Sequence, residues 1–314
     1  MSTGRGRARG RSKGINDLEY TSPGGLASRN WAADVDEKES ADGDAGSSDG
    51  GSHVTAVVNG TAAVQATLSL TDMKSIFDDP RTYSDQNDVK KILTCAKHFV
   101  RTEEDVKTLA SLIYNKVLDD SSLAKKGSEI CDSLTCVEVG AVKFRSCLLA
   151  LVQSDYKARK ELILKDPTRF CCFLAFLCEI FGIMRTATDE VFKPLVKPIF
   201  DCFNLLLGRD DTTEDDYDHR GGGDDTIVND DACEIFSEKL QSIGRLLEEN
   251  AEEQMLQLID NIRTCIINSR SSPRVRCSLL EAVEAYARGW ESAKNETTRF
   301  YCDMAVGIIS GLVL

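Results

Sequence analysis

The chain has 314 residues and a formal net charge of −13, with 51 acidic residues against 38 Lys and Arg. An acidic balance of this size excludes a surface that attracts nucleic acid over its whole extent, because such a surface repels phosphate groups. The most apolar run, residues 170–184, is interrupted by Glu179 and is shorter than the roughly 18 residues that a membrane-spanning helix needs. We therefore expect no membrane span, and the length allows one large folded domain or two small ones.

Residues 1–84 have the composition of a disordered head. Gly, Ser, Ala, Thr and Asp dominate this stretch, and its large apolar side chains are few, with Trp31 and Phe77 the main ones beside scattered Leu, Ile, Val and Met. Such a segment cannot bury enough apolar surface to offset the conformational entropy lost on folding. We predict that it stays disordered, with an arginine-rich start and an acidic block from Asp34 to Asp49.

From about residue 88 onward, apolar residues recur at steps of three and four, which is the period of an amphipathic α-helix. The first two predicted helices cover residues 89–99 and 106–117. Thr102, followed by three acidic residues, has the pattern of an N-cap with acids in the first turn, so we expect a sharp corner between these helices. The two helices then form a helical hairpin.

Further helices are predicted in chain order at residues 122–137, 141–154, 168–184, 190–207, 231–249, 251–268 and 273–290. Pro167 and Pro273 stand where a first-turn proline belongs. Pairs of helices at roughly 40-residue spacing are typical of HEAT-type repeats, which stack into curved surfaces that suit protein partners. The predicted fold is all-α, a HEAT-like array of about five antiparallel helical pairs, with a globular helical bundle as the structural alternative.

Composition also divides the chain into segments. These are the head at residues 1–84, the helical domain at residues 85–291 and a C-terminal apolar segment at residues 292–314. Within the last segment, we interpret the apolar run 304–314 as a buried helix. A second acidic block between Asp210 and Asp231, with Arg220 as its only Lys or Arg, indicates a loop insert at residues 208–231. Such an insert would repel RNA or engage a basic partner.

All 12 cysteines lie between Cys95 and Cys302, mostly beside Leu, Phe and Ile on apolar helical positions. No secretory signal is recognisable, so we expect reduced core thiols and a cytoplasmic location, with the nucleus as an alternative. His98 follows Cys95 at helical spacing, but two ligands do not make a zinc site. The acidic block also fails as a calcium loop, because Ile227 stands where a bidentate Glu is needed. The sequence predicts no metal site and no cofactor.

Catalytic motifs are absent from the sequence. It has three histidines, no nucleophile-elbow motif, no phosphate-binding P-loop and no glycine-rich turn between a strand and a helix. Its carboxylates are abundant, but nothing in their spacing distinguishes a catalytic acid or base. We therefore expect no enzyme and no small-molecule substrate.

Three stretches of the helical region carry a family resemblance. They are residues 156–166 (YKARKELILKD) followed by 170–181 (FCCFLAFLCEIF), residues 196–206 (VKPIFDCFNLL), and residues 280–290, which end in ARGW. Taken together, they resemble the basic helix end, the central apolar helix, the next helix and the closing helix of the middle domain of eukaryotic translation initiation factor 4G. The resemblance covers residues 88–290 and includes the small stand-alone proteins built on that domain.

This resemblance implies a HEAT-type array and a role in the translation of messenger RNA. The implied partners are translation initiation factors, a DEAD-box helicase and proteins bound to messenger RNA, such as the histone stem-loop-binding protein, the nuclear cap complex or poly(A)-binding protein. On this basis, the chain is expected to be a translation regulator or adapter. A helical-repeat scaffold for protein assembly or transport, unrelated to translation, is the alternative, since a fold alone does not fix a function.

The first residues of the head form a candidate RNA-binding site. Arginine alternates with Gly or Ala in the sequence GRGRARGR at residues 4–11, and the basic residues are Arg5, Arg7, Arg9, Arg11 and Lys13. Each guanidinium is free to pair with phosphate, so the arm is suited to RNA. It could instead be methylated and recognised by an aromatic cage, act as a nuclear address, or be a solvated basic tail.

A second basic cluster is a candidate partner-binding site. It consists of Lys157, Arg159, Lys160, Lys165 and Arg169, and it lies at the corner between two predicted helices. These residues could meet RNA or an acidic face of a helicase, although such clusters are often only a solvated face. Because charged side chains are not buried unpaired, we expect Arg159, Lys160 and Arg169 to be surface anchors whose charge can be reversed without loss of the fold.

Residues 70–77, before Pro80, form a third candidate site. A Leu and a Phe seven positions apart partly resemble the peptide that poly(A)-binding protein captures, although Lys74 stands where a small residue is expected. The simpler interpretation is a short helix that packs on the first hairpin. The sequence favours the simpler interpretation.

Overall fold

The computed structural model describes residues 92–94, 96–97, 100–186, 188–209, 230–267 and 271–312 of the chain. The arginine-rich arm, the segment at 70–77 and nearly all of the acidic insert lie outside these ranges. The predictions made for those segments therefore remain predictions.

Within the described ranges the chain forms ten complete α-helices, two 3-10 helices and one two-stranded hairpin. In chain order these are α1 (Glu103–Val117), a 3-10 helix (Ser121–Leu123), α2 (Ala124–Ser133), β1 (Glu138–Val139), β2 (Val142–Lys143), α3 (Phe144–Lys157), α4 (Arg159–Lys165), α5 (Pro167–Ile183), a 3-10 helix (Lys193–Leu195), α6 (Val196–Leu206), α7 (Asp230–Asn250), α8 (Glu252–Ile267), α9 (Pro273–Ala287) and α10 (Asn295–Ile309). Residues 92–94 and 96–97 are also helical.

The helices stack in two rows. One row consists of α1, α3, α6 and α8, and the other of α2, α5, α7 and α9, with each helix packed on the next in its row. Within the second row, Glu179 of α5 meets Lys239 of α7 at 2.8 Å, and further along the same two helices Gly182 faces Ile243. From the first contact to the second, the residue number rises on α5 and on α7, so these two helices run parallel. Helices of one row run antiparallel to those of the other row. The predicted HEAT-like array is confirmed.

Helix α5 is the centre of the array. Eleven of its 17 residues are buried, including Phe170, Phe173, Phe176 and Phe181, and it packs against α2, α4, α6 and α7. A helix that is apolar all round is stable only when neighbours surround it. Even so, no helix in the described part of the chain is long and apolar enough to cross a bilayer. The most apolar run of the sequence is therefore the core.

Several predicted helix starts are confirmed by their capping contacts. The Thr102 side chain accepts a hydrogen bond from the Asp105 amide, and the Asp105 carboxylate accepts one from the Thr102 amide, which completes a capping box. The backbone amides of Arg101 and Thr102 both donate to the Asp105 carboxylate. These hydrogen bonds hold the pKa of Asp105 below its ordinary value, and the Arg101 amide is the largest cause. Asp166 caps α5 and Ser272 caps α9, each with a proline at the start of the helix.

The segment between α2 and α3 differs from the prediction. Helices were expected at 122–137 and 141–154, but α2 ends at Ser133 and a hairpin precedes α3, with Val139 opposite Val142. Gly140 has φ +61°, and a Cβ at this position would lie 2.6 Å from a Glu103 carboxylate oxygen. That same oxygen accepts a hydrogen bond from the Ala141 amide at 3.3 Å. The turn is thus tied to the start of α1, which helical periodicity cannot reveal.

The C-terminal segment is helical but not buried. The expectation of a buried helix at 304–314 was wrong, because α10 ends at Ile309 and packs on α9 through one side only. Phe300, Val306 and Ile309 are 52%, 65% and 70% exposed. The last described helix of an array has a neighbour on one side, so an apolar composition does not ensure burial there.

Candidate protein-binding surface

The five basic residues predicted as a partner-binding cluster come together where α3, α4 and α5 meet. Lys157 ends α3, three of the residues lie on α4, and Arg169 lies in the first turn of α5. Helix α4 has seven residues and follows α3 after the single residue Ala158, so the chain turns sharply here. We call Lys157, Arg159, Lys160, Lys165 and Arg169 the basic corner.

Arg159 is a structural link and not a free anchor. Its guanidinium carbon lies 4.4 Å from the centroid of the Tyr156 ring, which is a cation–π contact. Its Nη2 lies 3.7 Å from a carboxylate oxygen of Asp201 on α6, and its side chain is only 19% exposed. The Tyr156 hydroxyl donates to the same carboxylate. Lys197 approaches that carboxylate at 2.9 Å, so Asp201 joins α3, α4 and α6.

Arg169 takes part in a similar arrangement one step along the row. Its Nη2 lies 3.8 Å from a carboxylate oxygen of Asp155 and 3.5 Å from the Asn115 side-chain oxygen. The Tyr114 hydroxyl donates to Asp155 at 2.9 Å. Burial, followed by the Asp155 charge, raises the pKa of Tyr114 well above its ordinary value, so this phenol stays a neutral donor at physiological pH.

The two arrangements repeat with the period of the array. Each contains a tyrosine hydroxyl that donates to an aspartate on the next helix of the row, and an arginine beside that aspartate. The tyrosine and aspartate are separated by 41 residues in the first case and by 45 in the second. The chain shows no strict sequence repeat, but this tertiary contact recurs at the spacing of one helical pair. Both contacts brace the helices that carry the basic corner.

Two lysines of the basic corner face solvent, together with the neighbouring Leu164. Lys157 is exposed, Lys165 is 76% exposed and pairs with Glu161 at 2.9 Å, and Leu164 is 73% exposed. Lys160 is half-buried. An exposed apolar side chain within a charged rim is the composition that protein interfaces use.

Sequence reasoning missed Leu164. The run Leu162-Ile163-Leu164 has the composition of core, but a seven-residue helix buries one face, and Ile163 takes the buried position of α4. Leu164 is consequently turned outward. The signal that could have found it is the helical wheel of α4, which requires knowing that α4 is a separate short helix.

The buried thiols do not form a reactive site. Six cysteines of the described residues are buried, namely Cys131, Cys171, Cys172, Cys178, Cys202 and Cys233. Burial raises the pKa of Cys171 to about 11 and that of Cys233 to about 12. Thiols with such pKa values are protonated at neutral pH and therefore poor nucleophiles.

A comparison with protein families decides the nature of the array. The model of the MIF4G domain matches residues 79–286. The chain belongs to the MIF4G domain family. Its members are helical scaffold domains and not a catalytic family, and the resemblance seen at residues 88–290 is confirmed at this level.

Curated relatives agree with the family match. The chain is 34% identical to the CBP80/20-dependent translation initiation factor of Xenopus tropicalis over 206 residues, which are 66% of this chain and 33% of that protein. It is 25% identical to the MIF4G domain-containing protein of Xenopus tropicalis over 206 residues, which are 64% of this chain and 85% of the relative. The human MIF4G domain-containing protein is 23% identical over 205 residues, 64% of this chain and 85% of the relative. The match thus spans a third of the initiation factor's length.

Proposed function

We propose that this chain is a non-enzymatic adapter in translation, which joins RNA-bound factors to the initiation machinery through the surface of its helical array. Membership of the MIF4G family supports a translation-related role, as does a relative named as a translation initiation factor. The observation that carries the proposal is the exposed Leu164 beside Lys165, on a corner braced by partly buried ion pairs.

The basic corner suits an acidic partner with an apolar recess. Lysines steer an acidic surface toward the corner, and the exposed Leu164 supplies apolar surface that the partner's recess can bury. The Tyr156–Asp201–Arg159 contacts hold α4 in place before the partner arrives, which reduces the entropy lost on binding. An initiation factor or a DEAD-box helicase with an acidic face is the proposed partner.

The arginine-rich arm is the proposed contact with RNA. Arg5, Arg7, Arg9 and Arg11, with Lys13, can each pair with a phosphate, and no acidic residue stands among them. In this arrangement the arm adds salt-sensitive affinity for RNA, while the array selects the protein partner.

The proposal is tested by changing only the exposed part of the corner. A variant with Lys157→Glu, Leu164→Asp and Lys165→Glu removes the anchor and reverses two charges. Capture of DEAD-box helicase and initiation factors from cell extract, measured by immunoblot, should fall at least about tenfold, since hot-spot changes exceed 1.4 kcal/mol.

A matched control places the same chemical changes elsewhere. Lys107 is 54% exposed and pairs with Glu104, Leu256 is 48% exposed, and Lys294 is exposed. The variant Lys107→Glu, Leu256→Asp, Lys294→Glu should retain full capture. Both variants should melt within a few degrees of the unchanged chain, as is usual for surface substitutions. Full capture by a folded corner variant would show that the partners bind elsewhere.

A further inference from the structure

A cavity of about 640 Å³ lies where α7 ends, α8 begins and α9 ends. The residues that line it are Arg245, Glu248, Glu249, Asn250, Ala251, Glu252, Arg288, Gly289, Trp290 and Glu291. Because α5 and α7 run parallel, this cavity lies at the opposite end of the array from the basic corner. Helix α7, with 21 residues, is about 30 Å long and separates the two.

The cavity is electronegative. Its two arginines have acidic partners already, since Arg245 pairs with Glu249 at 3.2 Å and Arg288 pairs with Glu284 at 3.4 Å. Glu252 and Glu291 have no such partner among the described residues. The carboxyl ends of α7 and α9 add partial negative charge, and neither helix has a basic residue in its last turn. With four glutamates against two arginines in its lining, the cavity carries a net negative charge.

One wall of the cavity is an aromatic ring held in place. Trp290 has φ +64° and follows Gly289, which also has φ +64°. Its indole N–H donates to Glu248 at 2.6 Å. The ring lies directly on Gly244, where a Cβ would come within 2.5 Å of it. These contacts fix the half-buried indole as the cavity wall.

An aromatic wall beside unpaired carboxylates is the environment that a guanidinium prefers. The group stacks on indole faces and pairs with carboxylates through its fork of N–H donors. A small apolar ligand does not fit, because such ligands need an enclosed and mainly apolar pocket. The ligand chemistry is therefore an arginine side chain within an accessible segment.

We propose that the cavity docks arginines of this chain's own arm, residues 4–11, within the same molecule. In a chain of net charge −13, these residues carry four arginines and no acid. The Gly and Ala residues between them leave each guanidinium sterically free to enter. Covalent connection raises the local concentration of the arm, so even a weak site is occupied. Docking then competes with RNA for the same arginines.

The test uses the full chain with Trp290 as an internal reporter. The sequence has two tryptophans, so Trp31→Phe leaves Trp290 alone. In this background, Arg5, Arg7, Arg9 and Arg11 are replaced by Gln to empty the cavity. A labelled peptide with the sequence of residues 4–11 is then titrated, with anisotropy to measure binding and Trp290 emission to locate it.

The peptide should bind the Gln-arm chain, change Trp290 emission saturably and lose affinity as salt is raised. The chain with its natural arm should bind the peptide at least about fivefold more weakly, because the tethered arm competes. Adding Glu252→Gln and Glu291→Gln to the Gln-arm chain should weaken binding about fivefold, whereas Glu138→Gln with Glu296→Gln, both exposed positions elsewhere, should not. Melting curves confirm that each variant is folded.

Three results would overturn the proposal. The first is no peptide binding by the Gln-arm chain. The second is binding that leaves Trp290 emission unchanged or survives the Glu252 and Glu291 substitutions, since the peptide would then lie elsewhere. The third is equal affinity with the natural and the Gln arm, which would make the cavity a site for an arginine-rich segment of another protein.

Discussion

At the scale of single residues, charged side chains on this surface play two different roles. Arg159 is held by Tyr156 and Asp201 and is mostly buried, while Lys157 stands two residues earlier and is exposed. Both belong to the same basic run of the sequence. The sequence predicts that Arg159, Lys160 and Arg169 can all be reversed without effect on the fold, but the contacts of Arg159 and Arg169 lead us to expect that reversing either of these two destabilises it. Arg159→Glu and Arg169→Glu would each place one carboxylate beside another.

Arg159→Glu should destabilise the protein by about 1–3 kcal/mol, because it removes one partner of Asp201 and adds a like charge next to it. Lys157→Glu should change stability by no more than about 0.5 kcal/mol, as expected for an exposed position. Urea unfolding of both variants checks this pair. Equal midpoints would mean that the contacts of Arg159 contribute no net stability.

Residue-level prediction succeeded where the signal is local. Thr102 and Pro273 were identified as helix-start residues because a cap depends on neighbours within four positions. The Arg159–Asp201 pair was not identified, since the two residues come together only after α3 and α6 have packed. Which lysines and arginines are free is thus a property of the tertiary structure.

At the scale of helices, one close packing contact occurs at a glycine. The Trp290 ring lies on Gly244 of α7, and its N–H reaches Glu248 on the same helix. This contact fastens the end of α9 to α7 and shapes the cavity. Gly182 on α5 also faces a neighbouring helix, but a Cβ there would meet Ile243 at 3.6 Å, an ordinary contact distance.

Gly244→Ala should therefore cost about 1–3 kcal/mol of stability, because the ring must move and the packing of α7 on α9 is disturbed. Gly182→Ala, the same change in a comparable helix, should be neutral or stabilise by up to about 1 kcal/mol through its higher helix propensity. Thermal melts measure both. A Gly244→Ala protein as stable as Gly182→Ala would show that the indole is not fixed on α7.

The sequence predicted which segments form most of the helices, but it predicted the residues at which they begin and end less well. The three-four periodicity located α1, α5 and α7 to α9 within about three residues at each end, because each buries a continuous stripe. The helix predicted from residue 190 instead begins at Val196, after a 3-10 helix. The periodicity also extended one helix over β2 and predicted no helix at the position of α4. The hairpin depends on the turn at Gly140 and on Glu103, which lies far away in sequence.

At the scale of the whole molecule, the array carries opposite charge at its two ends. The basic corner lies where α5 begins, and the acidic cavity lies where α7 ends. The helical array thus separates the proposed partner surface from the cavity proposed to dock the arm. The sequence predicted the array and its basic corner, but not the cavity, because its lining residues come from the end of α7, the start of α8 and the turn after α9, which helical periodicity does not bring together.

The chain is proposed to work in translation through the basic corner. Polysome sedimentation of the tagged chain tests this role. The unchanged chain should co-sediment with polysomes and leave those fractions after treatment with ribonuclease or a magnesium chelator. The variant Lys157→Glu, Leu164→Asp, Lys165→Glu should shift toward the top of the gradient, whereas the control at Lys107, Leu256 and Lys294 should not. Absence of the unchanged chain from all ribosomal and messenger-RNA fractions would contradict the claim and favour a scaffold unrelated to translation.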